Sequence, residues 1–140
     1  MARPGAPAVI TLQPRDLGDV VEVLGEAFRD YPVMRHVLGP AGDYDARLPI
    51  LVTLFASGRS LRGEPMLGVR GADGRLLAAA LVTPPDSVAA PEQLLDLRER
   101  TWERLGSDAR QRYDAFADAC NRLGIDTPHH HLNMIGVRRA

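Results

Sequence analysis

An α/β fold, with short strands gathered into one sheet and covered by helices, is what this sequence predicts, and three observations carry the prediction. Apolar residues recur at helical spacing from Leu17 to Phe28 and again from Leu94 to Leu105. Between those stretches the period shortens, and EPMLGVR (64–70) and RLLAAALVT (75–83) flank Gly71-Ala72-Asp73-Gly74, the pattern of a hairpin. Two further apolar runs, AVITLQ (8–13) and the closing HHHLNMIGVRRA (129–140), bracket the whole. The predicted order is β-α-α-β-β-α-α-β.

Residues 1–7 are Pro- and Gly-rich and read as a disordered leader, which leaves 8–140 for one domain. In the first helix Asp16 is the expected N-cap and Asp19 suits the positive end of the helix dipole. Leu17, Val20, Val21, Leu24 and Phe28 form its apolar face. Gly18 and Gly25 each cost about 1 kcal/mol relative to alanine, so this helix relies on tertiary packing. Pro32 ends it, because a residue before proline avoids the α region. YPVMRHVL (31–38) allows a further helical turn before Gly39-Pro40. From Asp45 to Ser57, the residues Leu48, Ile50, Leu51, Leu54 and Phe55 predict a second buried helix, with Pro49 placed in its first turn.

Pro84-Pro85 closes the hairpin's second strand. Pro91 suits a first helical position, and Leu94, Leu95, Arg98, Trp102 and Leu105 share one face, with Trp102 in the core. Gly106-Ser107 breaks that helix, and Ser107 caps the next. There Ala109, Tyr113, Phe116, Ala117 and Cys120 point inward, with Gly124 at the C′ position. Asp126-Thr127-Pro128 turns into the last strand. Simple alternation puts Leu132 and Met134 on one face of that strand and His131, Asn133, Ile135 and Val137 on the other.

Composition narrows the function classes. Net charge is −1, so no global field draws the chain to nucleic acid or a membrane surface. All 17 basic residues are arginine, scattered along the chain, which suits compositional bias better than a phosphate clamp. A single cysteine forms no internal disulfide and is expected as a buried structural thiol in a cytoplasmic protein. No apolar run approaches the roughly 20 residues of a membrane span. Of His129, His130 and His131, only the first and third could meet on one side of a strand, and no metal site is expected from them.

Three stretches, AFRDYPVMRHVLGP (27–40), AAALVTPPD (78–86) and HHHLNMIGVRRA (129–140), in this order and spacing, resemble the GCN5-related N-acetyltransferase (GNAT) superfamily over nearly all of 8–140. The resemblance implies a GNAT-like mixed sheet flanked by helices. It also implies an enzyme that moves an acetyl group from acetyl-CoA to a primary amine of small-molecule or peptide origin. The family follows its fourth strand with a loop, Gln/Arg-x-x-Gly-x-Gly/Ala, whose N–H groups cradle the cofactor's pyrophosphate. That loop is absent here. The chain is therefore expected to be the N-terminal part of such a domain, poor at binding acetyl-CoA and nearly inactive alone.

By position, the resemblance assigns backbone groups of Ile135, Gly136 and Val137 to the cofactor's pantetheine arm, with Gly136 allowing close approach. His131 stands where some members carry a general base. Phe28, Asp30, Tyr31 and Met34 would line the acceptor side, with Asn133 also on the substrate side, although Phe28 itself reads better as core. The alternative is a non-catalytic assembly module that pairs through its exposed last strand, forming a homodimer or accepting a strand from a partner.

Overall fold

The computed structural model describes residues 5–39 and 42–139. Its elements are β1 (Val9–Leu12), a 3-10 turn (Pro14–Asp16), α1 (Leu17–Phe28), α2 (Pro32–Leu38), α3 (Tyr44–Ser60), β2 (Met66–Arg70), β3 (Leu76–Thr83), α4 (Glu92–Leu105), α5 (Ser107–Arg122) and β4 (His131–Val137). Residues 1–4 of the expected leader, Pro40 and Ala140 lie outside the described residues. The strands form one sheet in the order β1-β2-β3-β4. Every pairing among the described residues is antiparallel, whereas the resemblance implied a mixed sheet.

One face of the sheet forms the core. Leu12, Met66, Leu76, Ala79, Leu81 and Met134 are buried there, beneath Val20, Val23 and Leu24 of α1 and Leu51 and Val52 of α3. Burying a side chain of this size contributes about 1.5–3 kcal/mol, which offsets the two glycines of α1. The opposite face carries Val9, Val69, Ala78, Ala80, Ile135 and Val137. Of these, Val9, Ile135 and Val137 are 69%, 58% and 62% exposed.

The hairpin forms as expected. Gly74, at φ +82°, turns the chain, and the Arg75 amide donates to the Asp73 carboxylate at 3.0 Å. Between β1 and β2 there is one helix more than the predicted order contains. Pro32 does not merely stop α1; with Tyr31 extended before it, it opens the seven-residue α2. Gly39, at φ +74°, closes α2.

Three local expectations need correction. The third helix begins at Tyr44, so Pro49 lies inside it and deprives the Asp45 carbonyl of an N–H partner. Ser107 is the first residue of α5, and the boundary is made by Gly106 at φ +95°. Gly124 does occupy C′, yet it does not adopt the left-handed conformation.

Several arginines act as scaffold. Arg47 donates to the last carbonyls of α2 and α4, Leu38 and Leu105, while Arg112 Nε donates to the Val37 carbonyl at 3.0 Å. These cap helix C-termini, whose carbonyls have no partner within the helix. Asp16 stands at the N-cap of α1 without a side-chain cap bond; its carboxylate accepts from the Gln13 amide and pairs with Arg70 at 2.8 Å.

Candidate active site

A single irregularity in β4 builds the site. Leu81 stands opposite Met134, but the next residue of β3, Val82, stands opposite Leu132, so Asn133 is an extra residue with no partner. Such a bulge reverses the alternation of the residues beyond it. Asn133 and Met134 therefore share a side, His131 joins them, and Leu132 is turned out to 51% exposure with Ile135 and Val137. The expected pairing of Leu132 with Met134 is corrected accordingly. The Thr83 hydroxyl donates to Asn133 Oδ1 at 2.8 Å and fixes the bulge.

His131, Asn133 and Met134 form one wall of a cleft of about 930 Å³. The other walls come from the end of α1, from α2 and α3, and from the inward faces of α4 and α5. The lining is rich in aromatic rings. Tyr113 lies between Trp102, at 5.2 Å between ring centroids, and Phe55, at 5.6 Å. Burial pushes the Tyr113 hydroxyl above the usual phenol range, with the charge of Arg98 opposing it. Phe28 meets Tyr31 edge to face at 5.2 Å.

The residues expected from sequence distribute unevenly. Phe28, Tyr31, Met34, His131 and Asn133 come together around this cleft. Tyr31 is 45% exposed and Met34 is buried at the core boundary. Asp30 does not line it; its carboxylate is held outside by Arg35 at 3.0 Å and Arg139 at 3.4 Å. The hydrogen bond from Arg35 holds the Asp30 carboxyl below its usual range. At Gly136 a Cβ would meet Ala27 Cβ at 2.6 Å, so its missing side chain admits α1. Among the described residues, the outer edge of β4 pairs with no strand. His129 and His131 have ring centroids 6.3 Å apart, and no group of three metal-ligating side chains occurs among the described residues.

Sequence reasoning missed the basic side of the cleft. Arg59, Arg62 and Arg98 line it. Arg59 NH1 pairs with Glu64 Oε1 at 2.7 Å, and Arg62 Nε stands 3.9 Å from the same oxygen. The three side chains are only 12%, 14% and 7% exposed for Arg59, Arg62 and Glu64. Desolvation lowers the pKa of Arg59. The sequence signal for Arg98 was visible, since it interrupts the apolar face between Leu94 and Trp102. Leu95, grouped with that face, is 46% exposed.

The expected burial of Cys120 fails as well. Of the residues assigned inward on α5, Ala109 alone is buried; Phe116 is 38% exposed and Cys120 is exposed on the cleft wall. Among the described residues, α5 packs chiefly against α2 and α4 and not against the sheet. Ellman's reagent should therefore titrate one thiol in the folded protein within minutes, whereas a buried thiol would react only after addition of denaturant.

No protein-family model and no curated protein matches this chain. Among solved structures it is similar to a Corynebacterium glutamicum protein described as histone acetyltransferase HPA2 and related acetyltransferase. The TM-score is 0.62 at 18% identity, over 94% of this chain and 60% of that one. A likeness to the C-terminal condensation domain of Ebony, in complex with beta-alanyl-dopamine, is weaker: TM-score 0.45, 16% identity, 94% of this chain and 59% of that one. The first likeness concerns the fold alone, which is GNAT-like. This chain spans about 60% of the length of the acetyltransferase it matches.

Proposed function

We propose that this chain is the acceptor-binding part of a GNAT-type N-acetyltransferase, acting on a primary amine. The observation that supports it most is the juxtaposition in β4. The bulge at Asn133 turns His131 and Asn133 into a 930 Å³ cleft, while the unpaired edge at Ile135–Val137 continues directly from it. Acetyl-CoA would supply the activated acetyl group.

The residues fit the thioester arm of that cofactor, because a free strand edge offers N–H and C=O groups for an extended ligand. A phosphate cradle is a different matter. The arginines that follow β4 fold back onto α1: Arg138 pairs with Glu22 at 2.8 Å and Glu26 at 3.4 Å, and the Arg139 amide donates to Glu26 at 2.9 Å. The cradle and the cover for the bare sheet face would come from further polypeptide. In this reading His131 takes the proton of the attacking amine, and an N–H at the edge of β4 polarises the carbonyl.

Loss of thioester absorbance at 232 nm, with a panel of amines, measures the transfer. Turnover is expected from a polypeptide that adds the phosphate cradle to this chain, and near-background rates from the 140 residues alone. His131→Gln should lower kcat/KM in the longer polypeptide about 10²-fold. Acetyl-CoA left unconsumed with every amine would sink the reading.

The bare face and free edge also favour a second reading, an assembly module that pairs through β4. Analytical ultracentrifugation separates the two: a dimer dissociated by Ile135→Lys supports assembly, and a monomer at all concentrations counts against it.

A further inference from the structure

Arg98 sits where a helix bundle normally places an apolar residue. It follows Leu94, 1% exposed, by one helical turn and precedes Trp102, 4% exposed, by another. Arg98 lines the same cleft as Trp102 and Tyr113, and its positive charge opposes the rise in pKa of the Tyr113 hydroxyl. Among the described residues it forms no ion pair or side-chain hydrogen bond. Its sequence neighbour Glu99 is already engaged, giving both oxygens to Arg110 at 2.9 and 3.1 Å.

The same excess appears at Arg59 and Arg62, which line the same cleft. Arg59 and Arg62 share the single carboxylate of Glu64, and Arg62 spends further donors on the Val88 and Gly58 carbonyls. Two positive charges thus remain unneutralised in a partly desolvated, aromatic-lined cleft. The acids of the lining, Asp114 and Asp126, are exposed, where water screens them. A guanidinium removed from water without a counterion is costly to hold, unless a ligand brings the anion.

We propose that the acceptor has an apolar or aromatic body and carries a carboxylate or phosphate, gripped by Arg98 with Arg59 in support. The planar fork of arginine suits either anion through two parallel hydrogen bonds. This names the substrate class of the acetyltransferase reading and rests on that reading for the word acceptor alone.

Trp102 is the single tryptophan and stacks near Tyr113 on the cleft floor, so its fluorescence reports occupancy without any catalysis. Phenyl phosphate, phenylacetate and benzyl alcohol are titrated into the 140-residue protein. At least one anion should saturate at a concentration about tenfold below benzyl alcohol, and the stronger of the two identifies the group. Arg98→Met should remove that preference, Arg98→Lys should keep part of it, and the urea midpoint of Arg98→Met should equal or exceed that of the unsubstituted protein. Equal binding of the alcohol, no saturable signal from either anion, or an unchanged preference in Arg98→Met overturns the proposal. A lower midpoint in Arg98→Met would overturn it too, by making the arginine structural. Anion preference lost with acetyl transfer intact defeats this inference alone; anion binding with no acetyl transfer defeats the acetyltransferase reading and leaves the anion site.

Discussion

Gly136→Val is expected to destabilise the protein by about 3 kcal/mol or more, enough to unfold a marginal domain. Strand propensity alone would favour valine over glycine, by up to about 1 kcal/mol. Packing decides otherwise. A Cβ at residue 136 would lie 2.6 Å from Ala27 Cβ and 3.2 Å from Leu24 Cδ2. The first of these atoms is fixed to the backbone of α1 and cannot swing aside. The helix must therefore lift from β4, which loosens Leu24, a fully buried core residue. Gly136→Ala should cost less, about 1–3 kcal/mol, and Ala27→Gly should recover much of that loss in the double variant. Urea unfolding followed at Trp102 measures all three; an unchanged midpoint for Gly136→Val would show that α1 and β4 do not meet as described.

Glu64→Ala carries the second large effect, a loss of about 3–5 kcal/mol. Its carboxylate is 7% exposed and is the shared counterion of Arg59 and Arg62. Removing it leaves two guanidinium groups in a poorly solvated corner with no opposing charge. The attraction itself is not the source of the loss. Burying both partners costs nearly as much as their pairing returns, and Glu64 Oε2 has no hydrogen-bond partner at all. Arg59→Met combined with Glu64→Leu should accordingly recover most of the lost stability. Equal losses in the single and double variants would contradict this division of the energy.

The helical and hairpin periods of the sequence carried most of the fold. The face of α1, the turn at Gly71–Gly74 and the burial of Trp102 all follow from spacing and turn chemistry. What failed were features that spacing does not encode. One inserted residue at Asn133 inverts the faces of β4, and no residue type marks it. Phe116 and Cys120 keep helical spacing but face a cleft, because amphipathicity shows which side of a helix is apolar and not whether anything covers it. Gly136 was legible as a point of close approach, while only the register of β4 against α1 reveals what approaches. Part of the candidate site was therefore readable: Tyr31, Met34, His131 and Asn133 were, whereas Phe55, Trp102 and Tyr113 read as core and the basic wall of Arg59 and Arg98 was not assigned.

On the acetyltransferase reading proposed above, the free edge of β4 binds the acyl-pantetheine arm of the cofactor. S-acetylpantetheine tests it most directly, since it lacks the phosphates for which the described residues offer no cradle. Backbone amide shifts of the labelled 140-residue protein are followed as this probe is added to millimolar concentration. The expected result is a saturable change at Ile135, Gly136 and Val137, accompanied by His131 and absent from β1 at the far edge of the sheet. Unmoved β4 amides, or equal changes at β1, would contradict the claim and leave the edge as a surface for assembly.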